Sequence, residues 1–426
     1  MKITQRRILK LLLTALLLIG IILPYSAHVK SKKNNFALRG IKGWAWTPEQ
    51  YLEEIPHLGK MKLNFLMNCY LSMFDIERHF WKDVRVNRWW LPLSNDKRLA
   101  YEKVVRSCQE HNINFCFSMN PNLSSERFAS PYIPADVEAL WQHYYWMQSL
   151  GVKWFSISLD DIGERGSDPV MQAYLVNIIY HRLQNNDKQA KMIFCPSWYW
   201  GNGKDGGLSY LTTLGKALDP EIYIFWTGDE AISPRITRQA AESYRDTVQH
   251  KLFIWDNYPC NDDAPTMHLG PLTGRDADLC EVTEGYMSNS MSKQNRLNRL
   301  PLWTCADYAY DPHHYDPDRA IERAITNLSD KPWQARTLRY MVENYPSNLV
   351  RGQNQLYNPV RERLINDLKD GWSTYDVSWY PDWIEQLAFL LTSDFDTYYK
   401  AEYDTMMADV DWLRSELYKN RKFVLP

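Results

Sequence analysis

Apolar and polar positions along the chain alternate between two periods. Short runs rich in β-branched and aromatic residues, the pattern of strands, lie at 37–44, 64–69, 114–119, 153–159, 192–196, 222–226, 252–255 and 285–288. Between them apolar residues recur every three or four positions. In 97–111 these are Ala100, Val104, Val105 and Cys108, and in 135–150 they are Val137, Leu140, Trp141, Tyr144 and Met147, which predicts amphipathic helices. Asn95-Asp96, Asp136, Asp168 and Ser233-Pro234 supply helix start signals. Strands alternating with helices in this number predict an α/β fold, a (β/α)8 TIM barrel over residues 36–315. Its weakest part is the connection from the seventh strand to the eighth, because 268–280 shows little helical periodicity. Beyond residue 315 the strand-like runs stop. Helical stretches at 317–327, 332–343, 359–368, 383–391 and 398–417 predict an all-α C-terminal segment over 316–426. Trp333, Trp372, Trp379 and Trp383 are expected to pack that segment together and onto the barrel.

Residues 1–30 carry a different pattern. Lys2, Arg6, Arg7 and Lys10 precede an apolar run from Leu11 to Leu23 broken only by Thr14 and Gly20, and Ser26-Ala27 offers a small-residue cleavage site. This predicts a signal peptide, or a signal anchor, since Tyr25 fits the cleavage rule poorly. The protein is expected to be exported to the periplasm, the cell surface or the medium, with a membrane tether only if the signal is retained. Residues 31–35 form a short polar linker.

Composition narrows the chemistry. A formal net charge of -2 on 426 residues gives no reason to expect nucleic acid as a partner. The seven cysteines are scattered without a C-x-x-C pair, so they are expected to be buried small hydrophobes, with one or two disulfides left open. No metal-ligand spacing occurs, His313-His314 reads as loop, and no cofactor is expected. Eighteen Trp and 27 Tyr suit a sugar cleft, where aromatic faces stack on pyranose rings.

The candidate chemistry gathers where strands end. Residues 154–162, Trp-Phe-Ser-Ile-Ser-Leu-Asp-Asp-Ile, begin as a strand and finish in the adjacent carboxylates Asp160 and Asp161. Neighbours on a strand face opposite ways, so both reach one ligand only where the strand gives way to a loop. The alternative is an Asp at a helix N-cap beside a solvent-exposed neighbour. Paired carboxylates suggest acid/base work, because each disfavours ionisation of the other. Other strand ends carry Gly40 and Gly43, then Ser197-Trp198-Tyr199, Thr227-Gly228-Asp229, Trp255 to Asp262, and Ser288-Asn289. Carboxylates, amides and aromatics on one rim are what a sugar site needs.

The segments Phe-Ser-Ile-Ser-Leu-Asp-Asp-Ile (155–162), Trp-Asp-Asn-Tyr-Pro-Cys-Asn-Asp (255–262), His-Leu-Gly-Pro-Leu-Thr-Gly-Arg (268–275) and Tyr-Met-Ser-Asn-Ser-Met (286–291) resemble the β-N-acetylglucosaminidase catalytic domain of glycoside hydrolase family 84, the O-GlcNAcase family. The likeness covers roughly residues 37–308, and the helical tail is similar to the α-domain of bacterial members. It implies a retaining β-N-acetylglucosaminidase acting on an N-acetylglucosamine-containing glycan or glycoconjugate. In that family the substrate's acetamido oxygen is the nucleophile and an oxazoline forms, an exception to the two-carboxylate scheme. Carried across, Asp160 would orient the acetamido N–H, and Asp161 would be the general acid and then the base. Tyr199 and Trp255 would form the acetamido pocket. Asn257, Asp262 and Asn289 would hold hydroxyls or the acetamido group, and Gly40 would line the floor. Two departures stand out. The family's second strand ends Ala-Pro-Lys-Asp-Asp, where this chain has Asn68-Cys69-Tyr70-Leu71-Ser72, and its first-strand glutamate is Arg39 here. They point either to another N-acetylhexosamine or glycosaminoglycan, or to Lys42 or Arg39 supplying the missing cation. A catalytically weak carbohydrate-binding barrel is the reading from another class.

Overall fold

The computed structural model describes residues 34–76, 87–163, 167–204, 206–261, 266–292, 295–347, 358–395 and 399–421; the targeting segment and Asp262 lie outside them. Eight parallel strands close into a barrel in sequence order: β1 (Leu38–Lys42), β2 (Phe65–Met67), β3 (Asn114–Met119), β4 (Trp154–Ser158), β5 (Lys191–Cys195), β6 (Tyr223–Trp226), β7 (Leu252–Pro259) and β8 (Gly285–Asn289). Helices Pro48–Lys60, Asn95–Glu110, Pro134–Ser149, Pro169–Asn186, Leu208–Ala217 and Arg238–Val248 follow β1 to β6 in turn, and Asn295–Tyr310 follows β8. Helix Asn95–Glu110 shows why the pattern was readable: Tyr101, Val104, Val105 and Cys108 form its buried stripe, and Ser94 caps it. All seven cysteines are buried, and none is in a disulfide.

The connection from β7 to β8 departs from the repeat. Among the described residues it holds a single 3-10 turn, Leu279–Glu281, and no α-helix. It is secured by other means. Leu272 and Leu279 enter the barrel core, while Met267 and Leu269 enter the core of the helical tail. The Leu269 N–H donates to the Tyr345 carbonyl at 2.9 Å, and the Tyr258 hydroxyl donates to Ser347 Oγ at 2.7 Å. This joins the tail to the seventh strand.

One buried ion pair holds the same connection to the sheet. Arg275 donates from Nε and Nη2 to the two oxygens of Asp256 at 2.8 and 2.6 Å, both side chains being 1% exposed. The Tyr286 hydroxyl donates to Asp256 as well, and Arg275 spends its remaining donors on the carbonyls of Ser233, Pro234 and Thr273. Ser233-Pro234 is therefore loop rather than helix start; the helix begins at Arg238, capped by Thr237. A buried pair this fully bonded is destabilising to break from one side, because the abandoned charge stays buried.

The tail helices Pro317–Asn327, Pro332–Asn344, Pro359–Lys369, Tyr380–Phe395 and Lys400–Lys419 match the predicted stretches closely. The tryptophans do not behave as expected. Trp333, Trp372 and Trp379 are 46%, 58% and 50% exposed, and of the four only Trp383 packs against the tail core. Leu338 and Met341, Ile384, Leu387 and Leu391, and Met406, Val410 and Leu413 fill the core at three- and four-residue spacing instead. At the seam with the barrel, Glu402 is 2% exposed and accepts the Leu297 N–H at 3.4 Å. Burial pushes its carboxyl up to about 7, against the pull of the Leu297 and Arg296 backbone donors and the Arg296 charge.

Two outcomes follow for stability. Arg275→Ala and Asp256→Ala should each lower the unfolding free energy by about 3–5 kcal/mol, and the double variant by less than their sum; additive losses in urea titrations would sink the clamp. For Glu402 the folded pKa lies above the unfolded one, so the folded state binds the extra proton. Its contribution is therefore present at low pH and is lost as pH rises from about 4.5 to about 7. Glu402→Gln should gain on the parent by about 3 kcal/mol across that window; a constant difference at all pH values would refute the assignment.

Candidate active site

The aspartate pair leaves β4 on a backbone turn. Asp161 has φ +56°, in the left-handed region that Asp tolerates better than most residues. The turn gives the two carboxylates different surroundings: Asp160 is buried at 6% exposure, and Asp161 is exposed. The helix that follows is capped by Asp168, whose Oδ1 accepts the Met171 N–H at 2.8 Å. The pair is thus no N-cap.

Asp160 is held by donors from neighbouring strand ends. The Tyr70 hydroxyl, just beyond β2, donates to Oδ2 at 2.8 Å, and the Asn120 amide, just beyond β3, donates to Oδ1 at 3.1 Å. Burial pushes the Asp160 carboxyl above the ordinary carboxylate value, while the Lys42 charge and these donors pull the other way. Both oxygens accept, an arrangement that suits the ionised form, whereas a protonated carboxyl would need an acceptor. The Tyr199 hydroxyl, beyond β5, donates to Asp161 Oδ1 at 3.1 Å. Burial first, and the aspartate charges after it, push the Tyr70 and Tyr199 phenols well above their ordinary value, so both remain donors.

Asn257 and Asn289 meet through a bulge. Trp255 pairs with Met287 and Asp256 with Ser288, but the register then jumps so that Pro259 faces Asn289. Asn257 sits in that irregularity. Its Oδ1 accepts from Trp255 Nε1 at 3.0 Å and from Asn289 Nδ2 at 2.9 Å, while its own amide donates to the Ala231 carbonyl at 2.6 Å. Trp255, 4% exposed, packs edge-on to Phe225. Asp256, between these inward residues, faces outward to Arg275, as strand alternation requires.

Lys42, the last residue of β1, is fully buried, its Nζ 4.1 Å from the centroid of the Trp255 ring, 4.5 Å from that of Tyr70 and 4.7 Å from that of Trp44. Arg39 is at the other end of the strand, donating to the carbonyls of Phe36 and Lys62 under Tyr310. Of the two candidate cations, Lys42 is the one in the site. Gly40 sits mid-strand between Phe65 and Met287. A Cβ there would lie 2.3 Å from the Phe65 carbonyl oxygen, so close packing of β1 on β2 already accounts for the glycine.

The rim thus brings together Asp160, Asp161, Tyr199, Trp255, Asn257 and Asn289, and joins to them Lys42, Tyr70 and Asn120. Asn120 had a usable signal, an Asn directly beyond a strand end, while Tyr70 had none beyond standing where a lysine was missing. Among the described residues no group of three or more His, Cys, Asp or Glu side chains could hold a metal ion.

Known proteins are similar to this chain in sequence and in fold. Protein O-GlcNAcase of Rattus norvegicus and that of Mus musculus are each 26% identical to the chain over 336 residues, 76% of this chain and 34% of theirs. The chain spans about a third of the length of these curated relatives. A solved mutant of the O-GlcNAc hydrolase of Thermobaculum terrenum shares the fold, with a TM-score of 0.70 at 21% identity, covering 90% of this chain and 84% of that one. The family model described as beta-N-acetylglucosaminidase matches residues 38–343, well over half of the chain. The chain belongs to the beta-N-acetylglucosaminidase family.

Proposed function

We propose that this protein is an exported retaining β-N-acetylglucosaminidase that releases terminal N-acetylglucosamine from a glycan or glycoconjugate by substrate-assisted hydrolysis. The observation that carries the reading is the division of labour in the aspartate pair: Asp160 buried among donors, Asp161 exposed beside the Tyr199 hydroxyl.

Each residue then has a step. Ionised Asp160 accepts the acetamido N–H and steadies the positive charge as the acetamido oxygen closes on the anomeric carbon. Asp161 gives its proton to the departing glycosidic oxygen, so the bond to the aglycone breaks as the oxazoline ring forms. Asp161, now a carboxylate, takes a proton from water, which opens the oxazoline on the same face and returns the starting protonation. Trp255 walls the acetamido pocket, and Asn257 fixes the indole and Asn289 in position. Asp262, outside the described residues, is assigned to a ring hydroxyl by the family resemblance alone. Tyr70 in place of the family's lysine favours a second reading, a different N-acetylhexosamine, which a panel of aryl glycosides separates from the first. Residues 1–30 support export, and cell fractionation tests it.

The purified protein should hydrolyse an aryl β-N-acetylglucosaminide, and Asp160→Asn or Asp161→Asn should reduce kcat/KM by at least about a hundred-fold. Asp161→Ala should impair poor leaving groups far more than activated aryl ones; equal losses on both would remove it as the acid. Because burial raises the Asp160 pKa and catalysis needs the charged form, the acid limb of kcat/KM should lie above the ordinary carboxylate value of about 3.9. Tyr70→Phe removes a donor to that charge, so the limb should move to higher pH, and kcat/KM should fall more on the acid side than on the plateau. An unmoved limb would mean that Asp160 is not the group it reports.

A further inference from the structure

The β1–β8 edge of the barrel mouth carries polar atoms left unsatisfied among the described residues. Lys42 Nζ, Trp44 Nε1 and Asn289 Oδ1 are all buried, with no hydrogen-bond partner among those residues. Lys42 and Asn289 are partners in the β1–β8 register, and Trp44 is two residues past Lys42. Three orphaned atoms so close in the fold are unusual, since buried polar groups are nearly always bonded. The ammonium is the costliest of them. Rings of Trp44, Tyr70 and Trp255 surround it and favour its charge through their faces, but they accept none of its N–H groups in a hydrogen bond. The aromatic cage fixes where the cation sits and leaves its hydrogens for a ligand. The Asn289 amide is oriented by its Nδ2 bond to Asn257, which leaves Oδ1 as the unsatisfied acceptor.

We propose that Lys42 and Trp44, together with Asn289, form the hydroxyl-recognition wall of the pocket: the ammonium and the indole N–H donate to ring hydroxyl oxygens of a neutral N-acetylhexosamine, and Asn289 Oδ1 accepts a hydroxyl proton. This rests on the glycosidase reading and names its specificity residues. A hydroxyl is both donor and acceptor, which is what two donors and one acceptor require. A neutral sugar rather than a uronic acid fits the charge, because the Lys42 cation already acts on the Asp160 carboxylate, and a second anion would compete for it. The cation missing after β2 is thus supplied from β1, one strand away around the ring, with Tyr70 between them donating to Asp160. Lys42 reads the sugar directly, and Tyr70 acts through Asp160 as a positioning residue.

Binding decides it independently of turnover. N-acetylglucosamine, its 3-, 4- and 6-deoxy forms and glucuronic acid are titrated by calorimetry into the full-length parent and into Lys42→Met and Trp44→Phe. Lys42→Met should weaken N-acetylglucosamine about ten- to a hundred-fold, as expected for loss of a charged hydrogen bond, and Trp44→Phe several-fold. One deoxy sugar should bind the parent about as weakly as the parent sugar binds Lys42→Met, and that variant should no longer distinguish the two. The deoxy series carries the test on unmutated protein should Lys42→Met fail to fold. The proposal is overturned by affinity within two-fold in Lys42→Met, by no deoxygenation costing more than two-fold, by tighter binding of glucuronic acid, or by no saturable sugar binding in the parent. Lys42-dependent binding without hydrolysis would remove the hydrolase reading and leave this one standing; hydrolysis with Lys42-independent binding would do the reverse.

Discussion

A carboxylate buried at the mouth of the barrel sets the terms for the rest of this site. Asp160 has lost its water, and an isolated charge there would neutralise rather than persist. What keeps it useful is a ring of groups that the barrel delivers from separate strands: Lys42 from β1, Tyr70 after β2, Asn120 after β3. These residues are up to 118 positions apart in sequence (42 and 160) and become neighbours only when β1 to β4 lie side by side. Barrel closure and active-site electrostatics are one event, and an error in strand register would strand the charge.

The far side of the ring solves a related problem by alternation. On β7 the residues 255, 256 and 257 face in, out and in. The inward two are hydrogen-bonded to each other and, through Asn257, to Asn289, and the outward Asp256 is spent on Arg275. That ion pair holds a connection that has no α-helix among its described residues, so the Trp255–Asn257–Asn289 chain rests on the clamp behind it. The helical tail reaches the same strand through Tyr258 and Ser347. A conventional seventh helix is therefore dispensable: polar bonds to the sheet and apolar contacts with the tail hold the loop instead.

What the sequence made legible follows from the range of each signal. Strands and helices were readable because period-two and three-to-four-residue repeats are local, and even the missing seventh helix showed as an absence of periodicity at 268–280. The aspartate pair was readable because a strand pattern running into two carboxylates marks a C-terminal rim. Lys42 could be offered only as one of two cations. Residues 39 and 42 both lie in one short strand run, and only the three-dimensional strand shows that one sits at each end. Gly40 read as a ligand contact, whereas the backbone of β2 approaches it from the side, which no local pattern encodes. The tail tryptophans failed for the opposite reason: size and hydrophobicity suggested a core, but the helical stripes were already filled by aliphatic residues at the correct spacing.

The left-handed turn at Asp161 ties these threads together. Two adjacent aspartates in extended backbone would point to opposite faces and could not serve one substrate. With φ at +56° the second is turned out to the rim while the first stays inside the ring of donors. Environment then separates two identical side chains, one buried with a donor on each oxygen, the other near solvent with a phenol donating to Oδ1. A chemical step that needs a fixed anion and a proton carrier within one residue of each other requires that asymmetry, and the backbone supplies it before any substrate arrives.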